Sequence, residues 1–207
     1  MRQLQFLGKT ALALAVVAVA ALAVVADDKK KDDDLDREPD VIFVPTPQAV
    51  VEKMLELAKV TKKDVVYDLG CGDGRIPLTA ARKYGCKAKG FDINPERIKD
   101  SMANYKKEKK EVQDLVKIER KDIFKLDLSD ANVITLYLLP TLNVKLVPQL
   151  KKLKPGSRIV SHAFDMRGYK PDKRETVTVK DDDGNERPFD IYLWTIPLKE
   201  DKDARDD

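Results

Sequence analysis

The chain has 207 residues, 43% hydrophobic and 36% charged, with 39 Lys and Arg nearly balanced by 36 Asp and Glu. That is enough for one domain with a real core plus extensions, and a net charge of +3 is too slight to argue for nucleic acid or a membrane surface as partner. Only two cysteines are present, Cys71 and Cys86, and no HExxH or multi-cysteine spacing offers a metal site.

Residues 1–26 differ from the rest. Arg2 and Lys9 flank a short start, Thr10 to Ala26 is an unbroken run of Ala, Val, Leu and one Thr, and Val24 and Ala26 fit a small-residue cleavage site. This pattern predicts a secretory signal peptide and an exported body, periplasmic or extracellular. A membrane anchor over residues 10–26 is the alternative, at the short end for a span. Cleavage would take away Arg2 and Lys9 and no acid, so +3 would become +1. Asp27 to Asp40 is a charge-dense linker with almost nothing to bury, expected to be disordered. The polar tail Asp201 to Asp207 is expected to be the same. The folded domain is predicted over 41–200.

Within that domain the pattern alternates helix and strand. Apolar residues at Val50, Val51, Met54, Leu55, Leu57 and Ala58 predict an amphipathic helix over Gln48–Val60. The next segment, VVYDLGCGDGR from Val65 to Arg75, is the most informative. An apolar strand, Val65–Leu69, runs into Asp68 and three alternating glycines, Gly70, Gly72 and Gly74. A helix-compatible run then follows from Ile76 to Tyr84. Such a turn brings bare backbone N–H groups and a helix start close to a ligand. Dinucleotide enzymes use the related G-x-G-x-x-G spacing, but here Arg75 stands where the third glycine would fall. Cys71 lies inside this turn, where a disulfide would distort it, so both cysteines are read as free thiols.

Lys87–Asp92 reads as a strand ending in an acid, 24 positions after Asp68. That is close to the ~20-residue spacing of a ribose-binding acid in a βαβ unit. Pro95 starts a helix expected to run to about Lys110. Val116–Arg120 is a short strand, and Asn132–Leu139 is fully apolar, as the centre of a parallel sheet should be. Leu142–Leu153 reads as a helix that Pro148 should kink or split. Arg158–Phe164 is a strand. Glu175–Lys180 and Phe189–Ile196 then form a hairpin around Asp-Asp-Asp-Gly-Asn.

The acid and alternating glycines resemble motif I of the class I S-adenosylmethionine-dependent methyltransferases. The resemblance implies an α/β fold, a Rossmann-like seven-stranded sheet, mostly parallel with a C-terminal antiparallel hairpin. Further segments are VPTP (44–47), KDIFKLDL (121–128), LYLLP (136–140) and LKPGSRIVSH (153–162). With these, residues from about Val41 to Pro171 resemble the protein-lysine methyltransferases of the adenine nucleotide translocase and ATP synthase c-subunit type. The resemblance implies S-adenosyl-L-methionine as cofactor. Asp68, Gly70, Gly72, Asp73 and Gly74 would surround its methionine part, Asp92 with Ile93 the ribose, and Asp122 with Ile123 the adenine. Thr46 would close over the cofactor, and Tyr137 would stand beside the methyl group.

A lysine acceptor must lose a proton, and Tyr137, His162 and Asp165 are the candidate acceptors of it, the last two at the end of the fifth strand on the catalytic edge of an open α/β sheet. The resemblance implies a protein substrate, methylated on a lysine side chain. A small-molecule acceptor and an exported, non-catalytic adenosine-binding domain are the alternatives. No Asn-Pro-Pro-aromatic sequence follows the fourth strand and no Pro-Cys pair offers a nucleophile for cytosine, both of which disfavour nucleobase chemistry. The Lys-rich stretch Lys99–Lys125 is interleaved with Glu96, Asp100, Glu108, Glu111, Asp114 and Glu119 and reads as a solvated face, so no nucleic-acid partner is expected. Residues 10–26 leave proximity to a membrane open, and a monomer is favoured. The cofactor is made in the cytoplasm, which sits uneasily with an export signal.

Overall fold

A computed structural model describes residues 35–180 and 184–201. The predicted signal peptide, most of the linker, residues 181–183 of the predicted hairpin loop and the tail beyond Asp201 lie outside the described residues. From Pro39 onward the described residues form one folded unit, and 35–38 belong to a separate one.

The unit is built on a seven-stranded sheet of order β3-β2-β1-β4-β5-β7-β6. The strands are β1 (Val65–Leu69), β2 (Lys87–Asp92), β3 (Val116–Arg120), β4 (Val133–Leu136), β5 (Arg158–His162), β6 (Lys173–Lys180) and β7 (Glu186–Thr195). The first five are parallel, and β7 runs antiparallel between β5 and β6. All four residues of β4 are buried, the signature of a strand covered on both faces.

The helices are α1 (Gln48–Leu57), α2 (Arg75–Tyr84), α3 (Pro95–Tyr105), α4 (Lys110–Gln113) and α5 (Pro140–Leu150), with a 3-10 turn at Ile123–Lys125. α1 buries Val50, Val51, Met54, Leu55 and Leu57; with α2 it covers one face of the sheet, packed on Val66, Val133 and Val160. α5 places Leu146, Val147 and Leu150 on the other, with Leu69, Ile134, Leu136 and Trp194. Local signals set the ends. Asn94 caps α3 by accepting from the Glu96 N–H at 2.9 Å, with Pro95 in the first turn; such a cap is worth about 1 kcal/mol. α2 ends on Gly85 at φ 64°, the left-handed stop that glycine supplies.

Several boundaries depart from the sequence expectations: α1 ends at Leu57, α5 spans Pro140–Leu150, and β6 and β7 begin earlier, at Lys173 and Glu186. α3 stops at Tyr105 rather than near Lys110, because after Ile98, Met102 and Tyr105 the run KKEKK has no apolar residue to bury. β4 ends at Leu136: Leu138 turns onto the glycine loop and Leu139 becomes the N-cap of α5. β5 ends at His162 because Ala163 takes φ 63°. α5 is not split at Pro148, which lies inside it. Pro148 is exposed, so the carbonyl it leaves unbonded, on Val144, faces water rather than the core.

Candidate active site

β1 delivers Asp68 to the carboxyl edge of the sheet, in register with Gly90 on one side and Thr135 on the other. Asp68 is buried. Its Oδ1 accepts from Thr135 Oγ1 at 2.6 Å, while its Oδ2 is buried with no hydrogen-bond partner. Burial pushes its carboxyl up to about 7, partly opposed by the Thr135 hydrogen bond. The chain then turns on Gly70, Gly72 and Gly74, all at positive φ (85°, 54° and 78°), where a side chain is strained. A Cβ would also meet a neighbour at each: Leu138 Cδ2 at 3.1 Å from Gly70, Phe43 Cε2 at 2.1 Å from Gly72 and Ser101 Oγ at 3.1 Å from Gly74. Ser101 Oγ donates to the Gly72 carbonyl at 2.6 Å, and Asn104 Nδ2 to that of Asp73 at 3.0 Å. α3 therefore holds the turn from below.

Asp92 ends β2 facing this turn. Its Oδ2 accepts from the Gly72 N–H and its Oδ1 from the Asn94 N–H, both at 2.9 Å. With the Ile93 N–H as well, three donors leave the carboxylate with acceptor capacity to spare. Burial raises its pKa, and these N–H groups pull it back. Ile93 is half-buried beside it, with its carbonyl held by Arg120 Nε at 3.0 Å. Asp122 is buried at the start of the 3-10 turn and accepts from the Phe124 N–H at 3.0 Å; Ile123 packs on the α5-side core.

Arg75, in the place of the missing glycine, is a clasp. Its Nε and Nη2 grip the Asp73 carboxylate at 2.9 and 2.6 Å, and its Nη1 donates to the Thr46 carbonyl at 2.8 Å. Thr46 is buried, and its Oγ1 meets His162 Nδ1 at 3.1 Å. The segment before α1 is thereby strapped across the glycine turn, with Phe43 on Gly72 and the Arg97 guanidinium 4.8 Å from the Phe43 ring.

The His162 ring lies 4.0 Å from that of Tyr137. His162 is fully buried, its Nε2 has no partner, and burial pushes its pKa down to about 4. Burial also raises the Tyr137 phenol above its ordinary value. Both groups are therefore neutral at neutral pH. Tyr137 and His162 come together; Asp165 does not join them in a buried cluster. Its side chain is exposed, and its backbone carbonyl accepts from Asn143 Nδ2 at 2.9 Å.

The sequence expectations passed over Phe43, Arg75, Ser101, Thr135, Asn143 and Phe164. Two of these had a legible signal. Thr135 is the one aliphatic hydroxyl in the apolar run NVITLYLL, and Arg75 stands out only as a departure from a glycine pattern. The thiols of Cys71 and Cys86 are free and buried, as expected. Among the described residues no group of three or more His, Cys, Asp or Glu could hold a metal, and no helix is long and apolar enough to cross a membrane.

These residues suit the cofactor expected for them. A buried carboxylate oxygen without a partner fits an ammonium group, and a strand-end acid with lone pairs to spare fits a pair of ribose hydroxyls. A 3-2-1-4-5-7-6 sheet with the acid and glycine turn after β1 and an acid at the end of β2 defines a class I S-adenosylmethionine-dependent methyltransferase. Residues 68–173 match the ANTKMT methyltransferase domain, and the chain belongs to that family. It is 47% identical over 160 residues to a protein-lysine N-methyltransferase of Saccharolobus islandicus, covering 76% of this chain and 95% of that protein. It is 32% identical to the mouse adenine nucleotide translocase lysine N-methyltransferase, over 63% of this chain and 56% of that one. A crystal structure from Salinibacter ruber, described as an RNA methyltransferase in complex with S-adenosyl-L-homocysteine, is 46% identical with a TM-score of 0.66 and covers 78% of this chain and 99% of that one. The enzyme is thus an S-adenosylmethionine-dependent methyltransferase.

Proposed function

We propose that the enzyme methylates the ε-amine of a lysine in a protein substrate. The observation that carries this is the 47% identity to the Saccharolobus protein-lysine methyltransferase across nearly all of that protein. The surface supports it. Among the described residues the large exposed apolar side chains are Ile42, Phe43 and Val44 before α1, and Leu139 and Val144 at the start of α5. Both segments border the carboxyl edge of the sheet. An apolar rim suits a protein surface better than a polyphosphate backbone, which calls for lysine and arginine.

When bound, the cofactor supplies a methyl group on a sulfonium, transferred in line to a nucleophile. The chain's own residues position and desolvate. Asp68 Oδ2 would take the cofactor's ammonium group, Asp92 the ribose hydroxyls and Asp122 the adenine amino group. The Tyr137 hydroxyl would orient the acceptor amine. His162 serves as the fixed wall behind Tyr137, since a ring with its pKa near 4 is a poor proton acceptor. Asp165, exposed, is the candidate to accept the proton the amine gives up.

The Salinibacter relative's description favours one other reading, RNA as acceptor. Labelled methyl transfer into a host lysate, followed by protease or ribonuclease, separates the two. Label released by protease alone is the expected result; label released by ribonuclease alone refutes the lysine reading. We further propose that residues 1–26 export the enzyme or hold it at a membrane, where an envelope protein is the reachable substrate. The order of charge, apolar run and small residues supports this.

A further inference from the structure

We infer that the rings of Phe164 and Tyr137 together form the face that recognises the acceptor's substituted ammonium group, Phe164 being the residue that sets selectivity for a cation. The inference rests on the lysine reading and deepens it.

The two rings lie 6.1 Å apart and nearly parallel, at 21°. Both are half-buried, and neither packs on either apolar core. They are therefore not explained by core packing. The backbone around Phe164 is held in place on several sides. Ala163 takes a left-handed φ of 63° and donates its N–H to the Asp190 carbonyl at 2.8 Å. The Phe164 carbonyl accepts from Ser161 Oγ at 2.6 Å and from Asn143 Nδ2 at 3.4 Å, while Asn143 also holds the next carbonyl. Asn143 is fully buried. A strained non-glycine residue that the surroundings over-determine is a common mark of a functional edge.

The position is right for an acceptor. Tyr137 lies against His162, which bonds Thr46, whose carbonyl is held by Arg75 of the cofactor turn, so the aromatic pair is tied to the cofactor side of the site. The chemistry is right as well. An aromatic face attracts an ammonium through the ring quadrupole, most strongly when the cation is desolvated. The His162 ring, 4.0 Å from that of Tyr137, is uncharged at neutral pH, so no imidazolium competes with or repels the substrate cation. Asp165, following Phe164, is exposed and lies within electrostatic reach of Arg174 and Tyr192. N-methylation keeps the charge and makes it less hydrated, so the face would hold a methylated product at least as well as the free amine. Successive methylation of one lysine is the consequence.

The probe pair is Nα-acetyl-Nε-trimethyl-lysine methylamide and its neutral isostere, with a tert-butyl group in place of trimethylammonium. Each is titrated by NMR into the full chain saturated with S-adenosylhomocysteine. The expected result is several-fold tighter binding of the cation. Phe164→Leu should bring the ratio near one with cofactor affinity unchanged, and Phe164→Trp should preserve it. Thermal melts report whether each variant is folded, and the tryptophan variant keeps the test alive if the leucine one is not. Equal binding of the two probes, a ratio unmoved in Phe164→Leu, or tighter binding of uridine or adenosine than of the cation each overturns the inference. The label-partition assay above reads the lysine reading separately: protein label with equal probe binding sinks only the aromatic assignment, and RNA label sinks the reading beneath it.

Discussion

Thr46 and His162 stand 116 residues apart in the chain and meet through Oγ1 and Nδ1 at 3.1 Å, both side chains buried. This bond joins the segment that crosses the cofactor turn to the strand end that faces the acceptor. Because Arg75 holds the Thr46 carbonyl as well, one residue before α1 is tied to both halves of the site. Thr46→Val removes the bond and leaves both nitrogens of a buried ring without a partner, at a cost of about 1–3 kcal/mol. The urea midpoint should fall with the slope unchanged, and amides of residues 41–47 should exchange faster in Thr46→Val. Unaltered exchange in that segment would show that the strap is held without Thr46.

Gly72 and Phe43 make a second coupled pair. An alanine at 72 would sit in a left-handed conformation with its Cβ 2.1 Å from the Phe43 ring. Phe43 is 39% exposed, so the ring should be displaced rather than the turn unfolded. Gly72→Ala is expected to weaken cofactor binding, and adding Phe43→Ala should relieve the steric part and leave the backbone strain. A double-mutant cycle should give a coupling of about 1 kcal/mol, within the range for residues in contact. Strict additivity would contradict the contact.

The buried carboxyl of Asp68 predicts a pH dependence. Its pKa rises from 3.8 to about 7 in the folded chain. Between those values the folded protein holds a proton that the unfolded chain has released, so this group makes stability fall as pH rises through that window, and the loss is complete above it. Asp68→Asn, measured without cofactor, should flatten this decline and raise the melting temperature at pH 8 relative to wild type. The same change should weaken cofactor binding by tenfold or more, since a charge-assisted hydrogen bond is worth about 1.5–3 kcal/mol. Parallel pH profiles for the two proteins would show that Asp68 is already ionised well below pH 7.

Much of the fold was legible because the strands carry their own punctuation. β1, β2 and β3 begin and end where the sequence places them, since β1 is an apolar run closed by a glycine, β2 ends in an acid and β3 alternates apolar with charged residues before a charged turn. The errors came where tertiary contacts decide. Nothing local says that Leu138 leaves β4 for Gly70, that Ala163 turns left-handed after His162, or that Pro148 keeps its freed carbonyl in water. The cofactor half of the site was readable because glycine and acid spacing is local. The acceptor half was legible only in part: Tyr137 and His162 stand at strand ends, but Asn143 and Phe164 join them only across the fold.

The N-terminal proposal is checked by sequencing the mature protein from its native host. A chain beginning at Asp27 is expected. One that begins at Met1 and fractionates with membranes would favour the anchor.

The central claim, methyl transfer to a protein lysine, is tested most directly by incubating the enzyme with cofactor and host envelope proteins and mapping modified residues by tandem mass spectrometry. Lysines carrying one to three added methyl groups, absent when the Asp68→Asn, Asp92→Ala double variant replaces wild type, are the predicted result. Methylation confined to RNA or small molecules, with no modified lysine in any protein, would contradict it.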